Sequence, residues 1–416
     1  MAKELTQEVE FEDESDDQDV AEQLMPGATA AVVSGTDWTT ETIVSQLERG
    51  NIQLNPRFQR RDAWKRDRKS RFIESLIVGL PIPQIVLAES KQERGKFIVL
   101  DGKQRLLTIL QFWGLGKGDN NAYKLSGLTL RADLKKITFA KLSTDAAYEE
   151  DFNALSNQAV RTVVIRNWKD SDFLHTVFLR LNTGSVNLSP QELRQALLPG
   201  SFSDYIDEAA GRSASLRRLL GITEPDPRMR DIEILARFLA FRFFADVYPG
   251  RMKKFLDESF ETFNKNWNDY KPKIEEAESD FEKGVNELLE VFGGSVARKP
   301  TSTQFNRAIF DALIFFHSQS SVRSALRTKR DRVKKAYEQL FLRDAGFLKA
   351  VESDTAGAPN TLARLRIWAN TLSAIARQAF KAPRIPIASS TTPKRTKMAK
   401  KQTTKGKGTS RKPARR

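Results

Sequence analysis

The chain has 416 residues, 40% hydrophobic and 29% charged, with a net charge of +15 and no cysteine; that length accommodates two domains and a sizeable core. Missing cysteines exclude disulfides, thiolate metal sites and cysteine nucleophiles, no apolar run reaches the roughly 18 residues of a membrane span, and the acidic start is wrong for a secretory signal, so a cytoplasmic protein is expected. The charge is unevenly placed: residues 381–416 carry about 13 Lys/Arg and no acid, residues 1–22 carry about ten acids against Lys3 alone, and the body keeps about +11, which suits an anionic partner.

Residues 1–34 read as a disordered acidic leader ending in small residues. "DWTTETIVSQLERGNIQL" predicts a short helix over 40–49, closed by Gly50, and then an extended segment. "NPRFQRRDAW" is a polar, aromatic-bearing loop. "RDRKSRFIESLIVGLPIPQIVLAE" puts Phe72, Ile73, Leu76 and Ile77 on one helical face, with Gly79 and Pro81 as the stop. "QIVLAE" and "KFIVL" are strands joined by the charged turn "SKQERG". A helix ending near Trp113 and a glycine-rich connection, "GLGKGDNNAYKLSGLTL", follow. "RTVVIRNW" is another strand. "DSDFLHTVFLRLNTG" is an amphipathic helix with Phe173, Leu174, Val177, Phe178 and Leu181 inward and Gly184 at its end. "LSPQELRQALL" opens with a capping box, Ser189 capping and Glu192 reaching back. From about Ser201 the strand signal disappears and six segments show helical spacing, so a helical second domain is expected over 201–384. The tail over 385–416 is low-complexity and disordered by composition.

The stretch "FIVLDGKQRLLTILQFW" (Phe97 to Trp113) passes from strand to helix through a polar pentad. Two readings are open. In one, Asp101 and Gln104 form a capping box and Leu106, Leu107, Leu110 and Trp113 pack on the sheet. In the other, the helix N-terminus offers free N–H groups to an anion, Gly102 lets a ligand approach, Lys103 adds charge, Arg105 forks onto phosphate, and Asp101 holds Mg2+ or orients water. The pentad alone is a weak signal, and no P-loop or dinucleotide fingerprint is present.

Its company is more specific. "NPRFQR", "GLPIPQIVL", "FIVLDGKQRLLTI" and "FLRLNTGSVNLSPQELRQAL" occur in this order around a helix, and over about Trp38 to Leu198 the chain resembles the GmrSD-type restriction endonuclease N-terminal domain family. A weaker likeness continues through "RMRDIEILARFLAFRFF" and "FNRAIFDAL". The resemblance implies a ParB/sulfiredoxin-like mixed α/β domain over 35–200, in an α+β chain whose second domain is all helical. It also implies a bacterial defence setting and an arginine-bearing turn that handles nucleotide phosphates or acts in phosphoryl chemistry. By position, Asp101, Gly102, Gln104 and Arg105 match the family's "DGQQR" turn, with Lys103 where glutamine is usual. Gln59 and Arg60 match its "QR", Asn182 and Gly184 its "N-x-G", and Glu192 its following acid. Each also has a structural reading: loop salt bridging for Gln59 and Arg60, a helix C-cap for Asn182 and Gly184, a capping box for Glu192. Trp64 is either core or a lid, and His175 sits among apolar neighbours.

An HNH nuclease needs clustered histidines, and this chain has only His175 and His317. "DFEKG" (Asp280 to Gly284) fits a carboxylate–lysine nuclease core only loosely. The expected function is therefore a nucleotide-binding, NTP-hydrolysing sensor or regulator of a restriction or anti-phage system, with Mg2+ as possible cofactor and the nuclease supplied by a partner. The rivals are a non-enzymatic DNA- or nucleotide-binding module and a structural adaptor. The tail residues Lys394, Arg395, Lys397, Lys400, Lys401, Lys405, Lys407, Arg411 and Lys412 are candidate DNA contacts, since they can neutralise phosphates but have no aromatic neighbours for base stacking.

Overall fold

The computed structural model describes residues 10–12, 31–54, 64–91, 93–116, 122–169, 173, 174, 177 and 189–387. Contacts group Met1–Pro386 as one unit and Ile387–Arg416 as a second, of which only Ile387 is among the described residues.

The apolar runs "IVLA" and "FIVL" become two adjacent interior strands of a sheet. In β3 (Ile85–Glu89), Ile85 and Leu87 join one core cluster while Val86 and Ala88 join another, and β4 (Phe97–Asp101) divides Phe97 and Val99 from Leu100 in the same way. Strands covered on both faces carry no polar alternation, which is why both read as continuous apolar segments. With β1 (Val32–Thr39), β2 (Ile52–Gln53) and β5 (Ala159–Arg166) they form a five-stranded mixed sheet ordered β1-β5-β3-β4-β2. β3 runs antiparallel to β4 and parallel to β5, β1 is antiparallel to β5, and β2 is parallel to β4.

β1 corrects the sequence reading, which left 32–34 in the leader. It is an edge strand with most residues exposed, so no buried face imposes a period on its sequence. α1 (Thr40–Glu48) follows directly, capped by Thr39, whose Oγ1 accepts from the Thr42 amide at 3.1 Å. α2 (Arg66–Val78) buries Phe72, Ile73, Leu76 and Ile77, the predicted face. α3 (Lys103–Phe112) packs Leu106, Ile109, Leu110 and Phe112 into the same core. α4 (Phe139–Thr144) and α5 (Glu149–Asn157) were not anticipated; they bury Leu142 and Leu155, too little apolar sequence to leave a helical period. The glycine-rich connection is anchored by Glu74 of α2, whose buried carboxylate accepts from the Thr129, Leu130 and Arg131 amides at 3.1, 2.7 and 2.7 Å. Burial opposes ionisation of Glu74, but these amides and the Thr129 hydroxyl together outweigh it and hold the carboxyl below its usual range.

The second face of the sheet is covered by Leu174 and by Leu193 of α6 (Pro190–Leu197). Beyond α6 the described residues are helical with no further strand, as expected. α9 (Arg230–Phe244) runs through the middle of this half with every residue from Asp231 to Phe241 buried, and follows α7 (Ser201–Arg212) and α8 (Ala214–Leu220). α10 (Met252–Lys265), α11 (Trp267–Phe292) and α12 (Arg307–His317) pack around it. Gly284 lets α11 approach the end of α12: a Cβ there would lie 2.9 Å from the Ser318 amide nitrogen. The "DFEKG" segment thus serves helix packing, with Asp280 3.7 Å from Arg323 Nη2. α9 and α12 are also joined by a buried ion pair, Arg237 Nη2 to Asp311 Oδ2 at 2.6 Å. Three short or medium helices, α13 (Ser320–Leu326), α14 (Arg330–Arg343) and α15 (Ala345–Glu352), lead to α16 (Ala358–Ala376). Among the described residues no helix is long and apolar enough to cross a membrane.

Candidate phosphate-binding turn

α3 starts where β4 stops, and one glycine makes that turn possible. Gly102 adopts φ 96°, in the left-handed region, and a Cβ on it would meet Ile85 Cγ1 at 3.1 Å and Arg105 Nη2 at 3.3 Å. Gly102 is the residue preceding the helix, and it brings no side chain to cap the first turn. The expected Asp101–Gln104 capping box does not form. Asp101 is still in the strand, one residue too early, and its Oδ1 accepts from the Gly102 amide at 2.7 Å instead.

The other Asp101 oxygen, Oδ2, accepts from Arg105 Nη2 at 2.8 Å, and the same nitrogen donates to the Gln84 carbonyl at 2.9 Å. Arg105 is 7% exposed, and its Nε has no hydrogen-bond acceptor among the described residues; the same holds for Gln104 Oε1 as an acceptor without a donor. A buried guanidinium is thus fixed beside a helix start, which is an anion-attracting arrangement.

Lys103 takes another direction. Its Nζ lies 2.6 Å from Glu192 Oε1, and both side chains are buried. Glu192 keeps the role read from its spacing as well: Oε2 accepts from the Ser189 amide at 2.7 Å and Ser189 Oγ accepts from the Glu192 amide at 3.1 Å. Lys103 therefore ties α3 to α6, the helix on the opposite face of the sheet. A further buried cross-link, Lys69 Nζ donating to Gln111 Oε1 at 2.8 Å, joins α2 to α3. Neither link was visible in the sequence, because partners separated by 42 or 89 residues leave no local pattern. Trp64 belongs to the core edge, its ring 5.7 Å from that of Phe72 with Arg68 4.7 Å above it. Gln59, Arg60, His175, Asn182, Gly184 and the basic residues of the tail lie outside the described residues.

Among the described residues no group of three or more Asp, Glu or His is placed to hold a metal ion. Asp101 is in no such group among those residues. Its carboxylate would serve a cation such as Mg2+ as one ligand beside phosphate and water oxygens.

Residues 40–199 match the model of the family described as GmrSD restriction endonuclease, N-terminal domain. This segment is a GmrSD N-terminal domain. No curated protein and no solved structure matches the chain. The GmrSD domain contains the β4–α3 turn, the Lys103–Glu192 pair and all of α6, and it associates the chain with restriction or phage-defence systems. The helical half lies beyond the matched residues.

Proposed function

We propose that the GmrSD domain binds the phosphate end of a nucleotide at the β4–α3 turn, and that the protein is the sensor or regulatory component of a restriction or phage-defence system. The observation that carries this is the start of α3, set directly behind left-handed Gly102 with the Arg105 guanidinium held alongside. The amide N–H groups of a helix's first turn point toward an incoming anion, and the positive end of the helix dipole attracts it. An arriving phosphate competes with Asp101 for Arg105, exchanging one charge-assisted contact for a bidentate one.

Hydrolysis is the stronger form of the proposal. Once phosphate holds Arg105, Asp101 Oδ2 is released to orient water or share a Mg2+ carried by the nucleotide. A second reading, binding without turnover, is favoured by the engagement of both Asp101 oxygens, one on the Gly102 amide and one on Arg105. DNA cleavage falls to a partner protein in both readings, and the basic tail supplies non-specific DNA contact. Thermal shift against a panel of NTPs, with and without magnesium, tests the binding claim: saturation at about 100 times Kd raises stability by about 2.7 kcal/mol. No shift with any nucleotide removes the proposal, and NTP turnover in the same samples separates its two forms.

A further inference from the structure

Glu10, Phe11 and Glu12 sit on the helical half as a short strand-like segment, although composition alone assigns them to a disordered leader. Phe11 makes a parallel bridge with Phe305; the Glu12 amide donates to the Phe305 carbonyl at 3.0 Å, and the Phe305 amide donates to the Glu10 carbonyl at 2.7 Å. The Phe11 ring lies 5.1 Å from that of Phe305 and is flanked by two guanidinium groups, Arg307 at 4.6 Å and Arg230 at 4.9 Å from its centroid. Glu12 accepts from Asn306 Nδ2 at 2.7 Å, meets Lys299 Nζ at 3.1 Å, and offers its carbonyl to Arg307 Nη1 at 3.2 Å. Backbone pairing, an aromatic seat and a carboxylate clamp therefore converge on three consecutive residues.

The charges decide what kind of ligand this seat fits. Arg230 is paired with Asp226 at 2.6 Å, Arg307 with Glu233 at 3.1 Å, and Lys299 also with Glu352 at 3.3 Å. Each cation already has an acid of the helical half, so a nucleic acid would find no surplus positive charge there. An extended peptide gains the strand-type hydrogen bonds that a phosphate chain cannot supply. We propose that this is a peptide-binding site for an extended acidic–aromatic–acidic segment, that the leader is its resident ligand in cis, and that such a segment of a partner polypeptide displaces it. Tethering gives the leader a high effective concentration, which sets the threshold a partner must exceed.

The test is a fluorescence-anisotropy titration of a labelled peptide, QEVEFEDES, spanning residues 7–15, against the full-length chain. The Phe11→Ala/Glu12→Lys chain, its own leader weakened, should bind the peptide at least about tenfold tighter than wild type. Adding Arg307→Ala should abolish that binding, as should alanine at the peptide's phenylalanine. Equal binding to wild type and variant, or equal binding of a scrambled peptide, overturns the proposal. A charge swap decides independently of that variant's folding: Lys299→Glu should prefer a peptide carrying lysine at the Glu12 position, and the absence of such preference equally overturns it.

Discussion

Arg105 and Lys103 sit two positions apart and illustrate what a local motif can and cannot reveal. Reading "DGKQR" as a cap would make Arg105→Ala nearly silent. In the structure Arg105 is buried against Asp101 and Gln84, so its removal leaves a mostly buried carboxylate short of a donor and should cost about 1–3 kcal/mol whatever the ligand chemistry. Stability therefore cannot discriminate between cap and phosphate site; ligand affinity can. For Lys103 the expectation is structural. Lys103→Met strands Glu192 in the interior and should lower unfolding stability by about 3 kcal/mol, whereas Lys103→Gln, still a donor, should lose less. Chemical denaturation of both variants checks this, and equal losses would remove the ion pair as the cause. The acid and arginine of the turn were legible because they lie within one helical turn of each other. The partner of Lys103 was not, since it arrives from 89 residues away.

Elements whose signals are local were the ones the sequence announced. The apolar face of α2, the buried runs of β3 and β4 and the Ser189 capping box all depend on spacings of four residues or fewer, and all are present. β1, exposed along an edge, and the weakly apolar α4 and α5 escaped for the converse reason. Packing between helices adds two testable details. Gly284→Ala, which in an open helix would gain stability, should here lose about 1–3 kcal/mol, because the new methyl meets the Ser318 backbone; a raised melting temperature would contradict the close crossing. His317 at the end of α12 is buried, stacks on Trp368 with centroids 6.3 Å apart, and has no hydrogen bond at either ring nitrogen among the described residues. Burial depresses its pKa to about 4, below the ordinary value of 6.5. The unfolded chain thus takes the proton first, so this contribution is complete above about pH 6.5 and is lost as pH falls toward 4, by at most about 3 kcal/mol. Melting curves from pH 7.5 to 5 should show a shallower decline for His317→Phe than for wild type; parallel declines would place the effect elsewhere.

At the scale of the whole molecule, an α+β domain of the GmrSD type and a helical half lie within one compact unit, with a basic tail beyond it. Ile385 is buried in the helical core, so a tail truncation that preserves the fold should begin after Ile387. Such a truncation should weaken DNA binding and flatten its salt dependence, by roughly 0.7–0.9 in log–log slope for each phosphate that is no longer neutralised. An unchanged slope would assign DNA binding to the body. The purified protein alone should leave modified and plain DNA uncut; magnesium-dependent cleavage abolished by a point mutation in this chain would contradict the assignment of the nuclease to a partner. The central claim, that the β4–α3 turn receives phosphate, is tested most directly by calorimetric titration of the nucleotide giving the largest thermal shift into wild type, Arg105→Ala, Arg105→Lys and Asp101→Ala, each confirmed folded. Wild type should bind, Arg105→Ala should lose at least about tenfold in affinity, Arg105→Lys should recover only part of it, and Asp101→Ala should retain binding. Undiminished affinity in folded Arg105→Ala would contradict the claim and leave the turn as a strand-to-helix junction alone.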